Sequence, residues 1–153
     1  PESDWPVLTT QLLSPINQAC GAVDTAALLS EATALLTKPD LRRIFTTEAL
    51  AEVDVSADLP SLGGRRIHGT IDRLVIDKAE VLAIDFKSNV AVPSEVAHCP
   101  EGILRQMAAY AEALQQIYPD HKITMAILWT KTATLMSLPD RLLSDALSRA
   151  DVS

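Results

Sequence analysis

The periodicities along this chain predict an α/β fold: a mixed sheet, made of an antiparallel three-strand meander plus one or two further strands, flanked by helices. Three observations carry that expectation. From Ala49 to Lys87 the apolar spacing is alternating rather than helical, with turn signals at Leu62-Gly63-Gly64-Arg65 and Asp77-Lys78-Ala79-Glu80. Residues 101–117 return to helical spacing. Residues 123–129 are almost wholly apolar, which suits a strand covered on both faces.

Each element has its own signal. Residues 1–23 are broken by Pro6, Pro15 and Gly21, with helical periodicity from Val7 to Cys20. Asp24 is placed to cap a helix in which Leu28, Leu29, Ala32, Leu35 and Leu36 form one apolar stripe. Pro39 opens a short helical turn through Phe45. A half-buried strand follows, with Leu50, Glu52, Asp54 and Ser56 on one face and Ala51, Val53 and Val55 on the other. Strands are expected at about 66–76 and 81–87, joined by the short polar loop at Lys78. Residues 89–100 read as a loop punctuated by Pro93 and Pro100. The next helix turns Ile103, Leu104, Met107, Ala111 and Leu114 inward and is closed by Pro119. A short strand at 134–137 and a last helix, from Pro139 or Asp140 to about Arg149, complete the order. With no repeat or low-complexity linker, the chain reads as one domain, helical over 1–47 with its core at 48–153.

Composition narrows the function classes. The chain of 153 residues is long enough for a sizeable core, and its apolar runs are too short to span a bilayer. No secretory signal opens it, so a cytoplasmic setting is expected, and Pro1 in place of Met points to a piece of a longer polypeptide. Two cysteines, Cys20 and Cys99, give neither a disulfide framework nor a four-cysteine iron–sulfur site. They read as free thiols in a reducing compartment. His98, Cys99 and His121 match no standard zinc spacing. A net charge of −7 argues against a DNA-binding module that works alone, because phosphate contacts need cations.

The chemistry concentrates in the second hairpin. Asp72 and Asp85 lie thirteen positions apart on its two strands, and a turn near Lys78 and Ala79 brings them to about the same height. Asp85 and Lys87 share one face while Phe86 points to the other. Acids at the ends of apolar strands are costly unless something pairs with them. Hard oxygen ligands so gathered suit Mg²⁺ or Mn²⁺, and the backbone carbonyl of Phe86 offers a third oxygen. Lys87, while charged, is no ligand; it can hold a water or stabilise a pentacovalent phosphate. As a bland alternative, a strand-end Asp is a turn cap and Asp-x-Lys is a surface ion pair. Arg65, Arg66, Arg73, Arg105 and Lys131 are candidates to line a DNA path, although scattered cations are usually solvated surface.

Gly69-Thr-Ile-Asp72-Arg73-Leu, then Ile84-Asp85-Phe86-Lys87-Ser88, then Gln106-x-x-x-Tyr110 resembles the PD-(D/E)XK nuclease superfamily in its RecB-like branch. Together with Leu104-Arg-Gln-Met-Ala-Ala-Tyr-Ala and Ala126-Ile-Leu-Trp129-Thr130, these motifs are similar to the C-terminal nuclease domains of the AddA family, alphaproteobacterial type. Those are helicase–nuclease subunits of bacterial double-strand-break repair. The resemblance covers about 52–147 and implies a restriction-endonuclease-like fold and a Mg²⁺- or Mn²⁺-dependent exonuclease. Asp72 and Asp85 would bind metal, Lys87 would be the catalytic lysine, and Gln106 and Tyr110 would face the metal or the DNA backbone. Glu52 stands where the family often has a strand glutamate. The implied partners are DNA, single-stranded and fed from an upstream motor, and a second subunit of AddB type; no membrane is implied. ATP would bind only in that motor, since no Gly-x-x-x-x-Gly-Lys loop occurs here.

One departure stands out. RecB-like nucleases carry a helical histidine before the first strand, and no histidine precedes His68 in this chain. Together with the net charge, this keeps an alternative in play: a catalytically inactive module of the same fold that serves as a structural or DNA-guiding platform.

Overall fold

The computed structural model describes residues 4–20, 24–88 and 91–149. The break expected at Gly21, the start of the loop at Asn89 and the side chain of Cys20 lie outside the described residues. Two helices come first, α1 (Trp5–Cys20) and α2 (Thr25–Thr37). Asp24 caps α2 as expected, its carboxylate accepting the Ala27 N–H at 3.0 Å. A 3₁₀ segment, Pro39–Phe45, leads into the sheet. The strands are β1 (Leu50–Leu59), β2 (Arg65–Ile76), β3 (Glu80–Lys87), β4 (Lys122–Trp129) and β5 (Thr134–Leu138). Helix α3 (Glu101–Ile117) connects β3 to β4, and α4 (Asp140–Ser148) follows β5.

The five strands form one sheet in chain order, β1-β2-β3-β4-β5. Only β3 and β4 run parallel; the other neighbours are antiparallel. The long connection through α3 is what a parallel pair requires. The β1–β2 turn is made by Gly63 and Gly64, both at positive φ (65° and 80°), where a side chain would be strained.

Two apolar layers cover the sheet. On one face α3 and α4 pack Leu104, Met107, Leu114, Leu143 and Leu147 against Ile71, Leu74, Ala83, Ile127 and Trp129. On the other, Leu41 and Ile44 of the 3₁₀ segment meet Leu82, Ile84, Ala126 and Leu128. Burying each such Leu or Ile contributes about 1.5–3 kcal/mol. Central strands β3 and β4 are therefore apolar in both directions, as the run at 123–129 predicts.

Both N-terminal helices form, and the apolar stripe of α2 is only partly covered. The stripe on α2 is largely open to solvent, with Leu28 and Leu36 exposed and only Leu35 packed on the second layer. Polar ties hold α2 and the segment after it: Lys38 donates to the Ala133 carbonyl at 2.6 Å, and Lys131 pairs with Glu31 at 2.8 Å. Among the described residues no helix is long and apolar enough to cross a membrane.

Gly69, inside β2, has a packing role. A Cβ there would overlap the buried Tyr110 ring, lying 2.7 Å from its Cε1 and Cζ atoms. The missing side chain lets α3 seat Tyr110 directly on the strand. Gly69→Ala is expected to cost about 1–3 kcal/mol by overpacking, read as a lower urea midpoint. In a Tyr110→Leu background most of that penalty should vanish, so a double-mutant cycle checks the contact.

Candidate active site

The site lies where β2 and β3 part. Their ladder runs Ile76↔Val81 to Arg73↔Ile84 and then stops. Its next rung would set Asp72 opposite Asp85. Instead of joining the ladder, Asp72 turns its carboxylate onto the backbone of β3: Oδ2 accepts the Phe86 N–H at 2.6 Å. A charge-assisted bond of this kind contributes about 1.5–3 kcal/mol.

Asp85 is the one buried charged residue in the described core, 5 % exposed. Strand alternation sends its side chain to the α3 face, with Ala83 and Lys87, while Phe86 packs on the opposite layer. Lys87 Nζ lies 2.5 Å from Asp85 Oδ2 as an ion pair, and that oxygen accepts no hydrogen bond of good geometry. Burial pushes the Asp85 carboxyl above its ordinary range; Lys87 opposes the shift, and the neighbouring Asp72 charge adds to it.

The remaining candidates fall as follows. Glu52 is exposed and stands opposite Asp72 across β1–β2, and both line an open cleft of about 310 Å³ with Ala51, Arg73 and Phe86. Gln106 is half-buried and donates from Nε2 to the Tyr110 hydroxyl at 3.2 Å, so these two engage each other beside Gly69. His68 lies in a separate shallow cleft with Asp54, Ser56 and Thr70. A cavity of about 630 Å³ between α3 and α4 contains none of the site residues.

Four of the five cations considered for a DNA path are engaged within the chain. Arg66 is bidentate on Asp58, Arg105 bonds Glu101, and Lys131 holds Glu31. Arg73 bonds the Ala49 carbonyl at 3.4 Å and sits 5.8 Å from the Phe45 ring centroid. The last is a structural cation that the sequence reading missed; its alternating position on a strand leading to an aromatic-rich layer was the available signal. Cys99 is buried against Met136 Sδ at 3.5 Å, and burial pushes its thiol up, away from thiolate chemistry.

Asp72, Asp85 and the Phe86 carbonyl make a hard-oxygen set that fits a divalent cation. Two carboxylates at one rung, one of them desolvated, are relieved by positive charge. Among the described residues no cluster of three or more His, Cys, Asp or Glu side chains comes together, so Glu52 adds no third carboxylate in this arrangement.

The raised Asp85 carboxyl has a stability consequence. A folded-state value above the unfolded one means the native chain holds the proton more tightly. Its stabilising effect is present below the unfolded carboxylate range and is lost as pH rises through the raised value. In EDTA at neutral pH, Asp85→Asn should therefore melt higher than the native chain, with the difference shrinking as pH falls through the raised Asp85 value and levelling off below about 4. Melting curves across that range check it.

Comparison with known proteins bears on this geometry. The family described as the PD-(D/E)XK nuclease superfamily matches residues 11–146, which include Asp72, Asp85, Lys87, Gln106 and Tyr110. No curated protein matches the chain. Among solved structures, the one titled "Crystal structure of SSO0001" aligns with a TM-score of 0.41 at 14% identity, covering 93% of this chain and 69% of that one. The family match spans nearly the whole chain and contains the strand-end acids, and the mixed five-strand sheet between helices is the restriction-endonuclease-like arrangement. The chain belongs to the PD-(D/E)XK nuclease superfamily.

Proposed function

We propose that this chain is a divalent-metal-dependent deoxyribonuclease domain that hydrolyses phosphodiester bonds. The observation that carries the reading is that Asp72, Asp85 and Lys87 gather where the β2–β3 ladder stops, with Asp72 on the Phe86 N–H, the Asp85 charge buried and Lys87 at 2.5 Å. Such a trio is costly in a scaffold and useful in phosphoryl chemistry.

Asp72 and Asp85, with the Phe86 carbonyl, would hold Mg²⁺ or Mn²⁺. When bound, the cation supplies Lewis acidity and a water of lowered pKa. Asp85 fixes the Lys87 ammonium at the lip of the site, where Lys87 is still partly open to solvent. From there Lys87 orients the attacking water and stabilises the charge that builds on the phosphate oxygens. Water oxygen bonds to phosphorus, the bridging P–O bond breaks, and the products are a free hydroxyl and a phosphate monoester. Gln106 and Tyr110 form a polar pair on α3 that would steady the DNA backbone.

The finer reading is an AddA-type subunit of a double-strand-break repair helicase–nuclease. It is supported by the ordered motifs at Gly69–Asp72, Ile84–Ser88 and Gln106–Tyr110. Residues 1–153 would then be the exonuclease domain of a longer cytoplasmic protein. The motor and its ATP site would lie elsewhere in that protein, single-stranded DNA would be the substrate, and an AddB-type subunit the partner. The net charge of −7 and the internal pairing of Arg66, Arg105 and Lys131 fit delivery of DNA by another part of the assembly. The same observations favour the second reading, an inactive DNA-guiding module.

DNA cleavage with Mg²⁺ separates the two. Lys87→Ala is expected to lower the cleavage rate about 10²–10³-fold or more, the loss typical for removing one transition-state stabiliser. Cleavage that is absent from the wild-type parent protein, or undiminished by Lys87→Ala, favours the inactive module or removes Lys87 from catalysis. In a parallel thermal-shift titration, Mn²⁺ should raise the melting temperature of the native chain and leave Asp72→Ala unmoved.

A further inference from the structure

Glu52 is one of two described non-glycine residues at positive φ, with φ 51°, and it occurs inside a strand. A left-handed residue there costs about 1–2 kcal/mol and needs a reason. On either side of it the β1–β2 ladder keeps one register: Ala51↔Arg73 before, Val53↔Ile71 after. No residue is inserted, yet the Glu52–Asp72 rung between them is unpaired. On β2 the faces exchange at the same height. Ile71 and Leu74, three positions apart, both enter the α3-side layer, while Val75 packs on the other layer and Arg73 sits over Phe45 of that layer. Strict alternation would have put Ile71 and Leu74 on opposite faces.

Asp72 thus occupies a rung missing from both ladders, at the point where β2 turns over. That is what frees its carboxylate to leave the strand direction and take the Phe86 N–H. We infer that the left-handed backbone of Glu52, rather than its carboxylate, positions Asp72 against β3, so that Glu52 is a positioning residue for the site. The link to catalysis rests on the nuclease reading above; the link to Asp72 does not.

The test compares Glu52→Gly and Glu52→Asn, which accept the left-handed region, with Glu52→Val, which resists it. Hydrogen exchange of the Phe86 amide is followed by NMR without metal, with the Ile127 amide as a fold control. Phe86 should stay protected in the Gly and Asn variants and exchange at least tenfold faster in the Val variant. Should Glu52→Val fail to fold, Glu52→Ala, with a smaller penalty, should fall between. Equal Phe86 protection in all variants overturns the inference, and so does equal loss in Gly, Asn and Val, which would assign the effect to the carboxylate. With Mn²⁺ and DNA, kcat of the Val variant should lie at least tenfold below that of the Gly variant at similar KM. If the wild type neither cleaves DNA nor is stabilised by Mn²⁺, the nuclease reading fails, while the Phe86 exchange still decides the role of Glu52.

Discussion

The hydrogen bond from the Phe86 N–H to Asp72 is the contact on which the site depends. It ends the β2–β3 ladder and replaces a backbone acceptor with a carboxylate. It also holds one acid at the height of another. Without it Asp72 would be an unbonded carboxylate where the β2–β3 ladder stops, and Asp85 would have only Lys87 for company. With it, two negative charges stand at one height, one already pushed toward its neutral form by burial. The arrangement is stable only if the surrounding structure enforces it or a cation relieves it.

The enforcement comes from the sheet. Asp85 is opposite Ile127 on the parallel strand β4, and both strands are apolar on both faces just below it. Gly69 of β2 leaves room for the Tyr110 ring of α3. Gln106, which donates to the Tyr110 hydroxyl, sits on the same helix, over the sheet face to which alternation sends Asp85 and Lys87. Packing that has nothing to do with chemistry thus sets the positions of the polar groups. A methyl group at Gly69 would act first on stability and then, through α3, on the site.

Much of this was legible in the sequence, because burial patterns write themselves into periodicity. The 101–117 helix, the hairpin carrying Asp72 and Asp85 and the two-sided burial of 123–129 all follow from spacing alone. So does the shared face of Asp85 and Lys87. What spacing cannot report is a residue that breaks the alternation without insertion. Glu52 carries no composition signal for a left-handed backbone, which glycine or asparagine would have given, so the turnover at Asp72 stayed hidden. The stripe on α2 misled for a different reason: amphipathic spacing records a capacity for burial, and here Leu28 and Leu36 remain exposed. Gly69 was readable in principle, since a glycine within a strand marks a close approach.

The charge balance sets how such a site can work. An acidic chain in which Arg66 and Arg105 are paired with its own carboxylates does not gather DNA over a distance. On the proposed reading it acts on a strand placed in its cleft, where a cation held by Asp72 and Asp85 would set the local field. The most direct measurement is therefore anomalous X-ray diffraction from crystals of the chain grown with Mn²⁺. The expected result is a peak bounded by carboxylate oxygens of Asp72 and Asp85 and by the Phe86 carbonyl. Ordered Asp72 and Asp85 side chains with no peak between them, or manganese bound only elsewhere, would contradict the central claim.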